Sequence, residues 1–169
     1  MIKITKKRKN PHLEDISQFI RKNSNEFYKI GQGAEGVVFY FKLNKSLILN
    51  TKILKPNEYI LKIYDFGGNL SLKKIKKLLI YSKYGLIPKI YVITNKYIVS
   101  KYIDGYSLNY VLAHFPNSYD NIYYKIDKLK EIWNKLGFNH DDLKAENILF
   151  SKDLKSVYFI DPYIEFDDD

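Results

Sequence analysis

Asp142 precedes Lys144 by two residues and Asn147 by five, in Asn139-His140-Asp141-Asp142-Leu143-Lys144-Ala145-Glu146-Asn147, and the apolar run Ile148-Leu149-Phe150 follows at once. These groups at this spacing suit phosphoryl transfer. A carboxylate accepts a hydroxyl proton, an ammonium faces the moving phosphate, and an amide oxygen helps to hold a metal. Tyr158-Phe159-Ile160-Asp161 then delivers a second carboxylate at the end of an apolar strand. Upstream lies Ile30-Gly31-Gln32-Gly33-Ala34-Glu35-Gly36-Val37-Val38. Glycines at this spacing also mark dinucleotide sites, but those need a helix to open directly after the glycines. Val37-Val38-Phe39-Tyr40-Phe41 is β-branched and aromatic and reads as a strand. The expected unit is therefore strand, glycine turn, strand, in which backbone amides approach phosphates with no Cβ in the way.

Taken in this order, the motifs resemble the protein-kinase-like superfamily in a short form, over about residues 27–163. The resemblance implies an α+β, two-lobe protein-kinase-like fold. A basic arm and helix over 1–26 would precede a β-rich N-lobe over 27–102. A shortened helical C-lobe over 103–169 would lack the activation segment and the later helices. The cofactors implied are ATP and Mg2+. Ile30 and Val38 would cover the adenine, Gly31, Gly33 and Gly36 the phosphates, and Lys62, in Tyr59-Ile60-Leu61-Lys62, would pair with the α- and β-phosphates. Lys52 and Lys55 are the substitutes for that lysine. Asp142 would be the catalytic base, Lys144 would stabilise charge on the transferred group, and Asn147 and Asp161 would hold magnesium. His140 would hold the loop, and the backbone around Lys101 to Ile103 would meet the adenine edge. The segment from Lys77 through Gly85-Leu86-Ile87-Pro88 to Asp104-Gly105 is similar to the small kinase of the tRNA-modification complex. Bacterial effector mini-kinases and viral kinases are the other short forms.

The chain departs from the family pattern in four places. The helix after Lys62 should supply a Glu, yet no Glu lies between Glu58 and Glu131, and Lys74, Ile75 or Lys76 fills the place. Either Lys62 is then held by Asp65 or Asp161 instead, or weak activity is expected. Asp141 stands where many kinases carry Arg, so switching through a phosphorylated activation loop is not expected. Asp161-Pro162-Tyr163 replaces Asp-Phe-Gly, and proline fixes φ and removes a donor. Eight residues follow Asp161, so the subdomain that docks peptides is not expected. The expected activity is Mg-ATP-dependent transfer to Ser or Thr of a protein substrate. The alternative is a pseudokinase that sequesters or mimics a host kinase or regulator. A host protein covering the shortened C-lobe is the expected further partner.

The elements that must position these residues are legible from periodicity. Leu13, Ile16, Phe19 and Ile20 mark a short helix after Pro11. Strands are expected over 27–32, 36–42 and 58–64, with 43–57 an ambiguous insertion. After Ser71, Leu72, Ile75, Leu78 and Leu79 form one helical stripe, and Lys73, Lys74, Lys76 and Lys77 form an opposite face expected to be solvated. A hairpin over 90–94 and 96–102 leads to Asp104-Gly105, expected as a turn that serves as the hinge. A short helix over 107–114 precedes the longest one, over 118–136, with Ile122, Ile126, Leu129, Ile132, Trp133 and Leu136 inward and Gly137 ending it. Short strands are expected near 148–150 and 157–160.

Composition narrows the field. A chain of 169 residues can hold one sizeable core or two small lobes. No apolar run reaches the roughly 18–20 residues of a membrane span, and no secretory leader is legible, so no membrane partner is expected. With no cysteine there are no disulfides or thiolate metal sites. The expected location is the cytoplasm, or the host cytoplasm for a viral or effector protein. The net charge of +9 would permit nucleic-acid binding. The lysines are spread along the chain, however, and nucleic acid is not the expected partner.

Overall fold

The computed structural model describes residues 11–33, 35–64, 70–137 and 144–160. Helix α1 (Pro11–Asn23) starts on a proline, whose fixed φ and missing N–H suit a first helical turn. Strands β1 (Glu26–Gln32), β2 (Gly36–Leu43), β3 (Leu47–Leu49), β4 (Lys52–Leu54) and β5 (Asn57–Tyr64) follow. Then come α2 (Leu72–Lys83), β6 (Ile90–Ile93), β7 (Tyr97–Lys101), β8 (Gly105–Ser107), α3 (Leu108–His114), α4 (Tyr119–Lys135), β9 (Ile148–Ser151) and β10 (Val157–Phe159). The chain divides into two compact units, Met1–Ser71 with Tyr91–Ser100, and Leu72–Ile90 with Lys101–Asp169. Helix α2 groups with the second unit.

The first unit is built on a five-stranded sheet in the order β1-β2-β5-β7-β6. Alternation along β5 sends Tyr59, Leu61 and Ile63 into one core, which Phe41 and Leu43 of β2 and Ile20 of α1 also enter. The ambiguous stretch 43–57 is the end of β2 followed by a hairpin, β3 paired with β4. Asn50 and Thr51 take φ of 47° and 64° at its tip, the handedness that matches the twist of paired strands. The hairpin buries Leu47, Leu49 and Leu54 against the same core. It is a structural part of the unit, not an appendage.

The second unit packs α4 along the stripe Ile122, Ile126, Leu129 and Trp133. Trp133 stacks on Tyr81 of α2, with ring centroids 4.7 Å apart, and meets Phe159 of β10 edge-on at 5.1 Å. Gly137 takes φ of 72° just past α4 and donates its N–H to the Asn134 carbonyl, the left-handed close that glycine adopts without a Cβ penalty. A three-stranded sheet in the order β10-β9-β8 completes the unit.

Two expectations are corrected here. The inward face of α2 is Lys74, Leu78 and Tyr81, while Leu72 is 76% exposed and Leu79 also faces water. Lys74 is only 7% exposed, so the lysines of this helix do not form one solvated face. A lysine can lie on an inward stripe because its four methylenes pack as an apolar stem. Gly105 is not a free turn residue but the first residue of β8, paired with Ser151. A Cβ there would lie 1.9 Å from the Phe150 carbonyl oxygen, so the close approach of β9 requires glycine. Among the described residues no helix is long and apolar enough to cross a membrane.

Candidate phosphoryl-transfer site

In the first unit the sheet register positions the residues expected to bind nucleotide. Val38 lies directly opposite Lys62 across the β2–β5 pair, and Gly31 lies opposite Val38 across β1–β2. Val38 and Lys62 therefore share the face opposite the core, where alternation places them. The expectation that one covers a base and the other a phosphate needs this common face. Ile30, beside a break in the β1 register, is exposed.

The Lys62 side chain is one-fifth exposed. Its ammonium lies 3.3 Å from Glu35 Oε2 and 5.0 Å from the centroid of the Tyr64 ring. Glu35 belongs to the glycine-rich turn, so a carboxylate from that turn meets the lysine. The expected partners Asp65 and Asp161 lie outside the described residues. Sequence reading passed over Glu35. The signal that could have found it is its place between Gly33 and Gly36, in a chain whose next helix carries no acid.

The three glycines do different work. Gly33 donates its N–H to the Gly36 carbonyl at 2.9 Å and closes the turn. Among the described residues a Cβ on Gly33 would meet nothing within 4 Å, whereas one on Gly36 would lie 1.9 Å from the Ile63 carbonyl oxygen. Gly36 is demanded by the contact with β5, while Gly33 borders open space. On the same sheet face Tyr40 donates its hydroxyl to Glu58 at 2.7 Å. Burial first, and then this carboxylate, push the phenol well above its usual range.

The second unit holds the other described residues that the sequence singled out. Lys144 is extended and exposed, and a single 3-10 turn over Ala145–Asn147 follows it. The Asn147 N–H reaches the Lys144 carbonyl at 2.8 Å. The Asn147 carbonyl accepts the Ile160 N–H, also at 2.8 Å. Buried Ile148 and Phe150 anchor β9 directly after this turn, and β9 pairs with β10 and β8 on its two sides. Ser107 caps α3 by accepting the Tyr110 N–H, and α3 packs against the 145–147 turn. In the segment expected to meet an adenine edge, the Lys101 N–H is bonded to the Lys89 carbonyl at 2.8 Å.

His140, Asp142 and Asp161 lie outside the described residues. Among the described residues no group of three or more His, Asp or Glu side chains is gathered to hold a metal. The donor types expected, an amide oxygen from Asn147 and a carboxylate from Asp161, are hard oxygen ligands of the kind magnesium takes. The first unit fits a phosphate on two counts: open space beside Gly33, and a lysine already in contact with an anionic oxygen.

No protein-family model matches the chain, and no curated protein sequence matches it. Among solved structures it is similar to the kinase domain of PknI from Mycobacterium tuberculosis, with a TM-score of 0.51 and 13% identity. The match covers 79% of this chain and 57% of that domain, so the chain spans little more than half the length of the structure it resembles. The fold is α+β and protein-kinase-like, with a β-rich N-terminal part and a helical C-terminal part.

Proposed function

We propose that this kinase-fold chain transfers a phosphoryl group from Mg-ATP to Ser or Thr of a protein. The observation that carries the reading is the bond from the Ile160 N–H to the Asn147 carbonyl. It ties the turn holding Lys144 and Asn147 to the strand that leads into Asp161, so residues about 45 Å apart along a fully extended chain are anchored at one hairpin. In this reading Asp142 orients the acceptor hydroxyl and takes its proton. Lys144 offsets charge on the transferred group, and Asn147 and Asp161 hold the metal. Magnesium, when bound, neutralises phosphate charge that the protein's own cations offset only in part. Gly31 and Gly33 offer backbone amides to the phosphates, and Gly36 keeps the turn close to β5. Lys62 meets the α- and β-phosphates, while Val38 and Ile30 cover the base.

The test is to incubate the chain with Mg-ATP and a generic basic protein, beside Asp142→Asn, and to read intact masses. Added phosphate with the parent alone is the expected result. No transfer by either chain, with ATP still raising the melting temperature, would overturn the catalytic reading. It would leave the second reading, a pseudokinase that binds nucleotide. One observation favours that second reading: the inward face of α2 carries Lys74 and no acidic residue.

A further inference from the structure

Glu35 sits on the turn that would cradle phosphates, and its carboxylate lies on the lysine that would bind them. A partly buried ammonium gains from an anion nearby, because burial disfavours the charged form. Helix α2, Leu72–Lys83, carries no Asp or Glu that could supply one. The glycine-rich turn does so instead, with Glu35 Oε2 3.3 Å from Lys62 Nζ. The two partners differ in exposure: Lys62 is carried by β5 and lies over the Tyr64 ring, whereas the Glu35 side chain is about half exposed.

We propose that Glu35 is an internal stand-in for a nucleotide phosphate. It neutralises Lys62 in the nucleotide-free chain and is displaced when a polyphosphate takes that place. The proposal rests on the nucleotide-binding reading above and deepens it. A carboxylate and a phosphate on the same side of one ammonium repel each other, most strongly where water is partly excluded. Glu35 therefore opposes every ligand in proportion to the charge that ligand brings to Lys62. ATP and ADP bind against it, and adenosine does not. The turn thereby selects for ligands whose phosphates, with magnesium, outcompete a carboxylate already in place.

The experiment is calorimetric titration of Mg-ATP, Mg-ADP and adenosine into the full chain, its Glu35→Gln and Lys62→Met variants, and the double variant. Glu35→Gln is expected to tighten Mg-ATP by about threefold to fivefold, the scale of one partly exposed ion pair, and to leave adenosine unchanged. Lys62→Met is expected to weaken Mg-ATP, and in that background the gain from Glu35→Gln shrinks below half. A ligand-free readout accompanies these. The Lys62 Cε–H NMR signal moves on Glu35→Gln, and in the parent it moves on addition of Mg-ATP. If the parent binds ATP and Glu35→Gln binds it equally or more weakly, the stand-in role is overturned and the nucleotide reading survives. If neither parent nor Glu35→Gln binds ATP, the nucleotide reading falls, and the proposal falls with it.

Discussion

Ile160 donates its backbone N–H to the carbonyl of Asn147 at 2.8 Å, while the Asn147 N–H is bonded back to Lys144. Both backbone groups of Asn147 are thus committed to protein partners, and its side chain is the part left for chemistry. Asn147→Ala keeps both backbone bonds. It is expected to lower phosphoryl transfer by about 10- to 100-fold or more while leaving the melting temperature within about 2 °C of the parent. Transfer kinetics and a thermal melt on the same sample check it. An equal loss of stability and activity would return Asn147 to a structural role.

Gly36 and Gly33 separate fold from function. Gly36→Ala puts a Cβ 1.9 Å from a backbone carbonyl on β5, so the strand pair must open. A loss of about 1–3 kcal/mol is expected in urea titration, by analogy with overpacked cores. Gly33→Ala meets open space. It should leave stability unchanged and weaken Mg-ATP binding by about tenfold, through the backbone approach that glycine allows. The reverse pattern would mean that the turn does not face phosphate.

Lys74 differs from its neighbours in α2. Lys74→Ala is expected to cost about 1–3 kcal/mol in chemical denaturation, because it removes a buried stem together with a buried charge. Lys73→Ala and Lys76→Ala, at exposed positions, should fall within about 0.5 kcal/mol of the parent. Three equal effects would restore the picture of one solvated lysine face.

Stability should fall in alkali. Burial pushes the Tyr81 phenol up to about 12, and Tyr40 is raised by burial and by Glu58. An unfolded tyrosine ionises near 10. Between that point and the folded value the unfolded chain loses a proton that the native chain keeps. Stability therefore declines as pH rises, by about 1.4 kcal/mol per pH unit for each such tyrosine. Urea midpoints between pH 8.5 and 11.5 should drop in the parent. In Tyr81→Phe they should drop less steeply, although Tyr81 stacks on Trp133 and the variant keeps that ring contact. Parallel slopes would show that Tyr81 is not linked to unfolding.

By itself the sequence determined the order of the main elements and the chemistry on offer. Runs of β-branched and aromatic residues mark β2 and β5, and the spacing Ile122, Ile126, Leu129, Trp133 marks the inward stripe of α4, because strand and helix sequences leave different imprints. The spacing of Asp142, Lys144 and Asn147 is local and needs no fold to be read. What the tertiary structure decided lies in pairings between distant segments. Along α2 an apolar stripe and a lysine-bearing stripe compete. Only the partners that meet the helix select Lys74, Leu78 and Tyr81 as its inward face. Gly36 reads from sequence as room for phosphate, yet the β2–β5 register makes it first a requirement of strand contact. Lys62 meets a counter-charge from Glu35, 27 residues earlier, because the turn closes through Gly33 and Gly36 and returns its carboxylate over the sheet. No local period encodes such a contact. It exists only once two strands have set their register and the turn between glycines has closed.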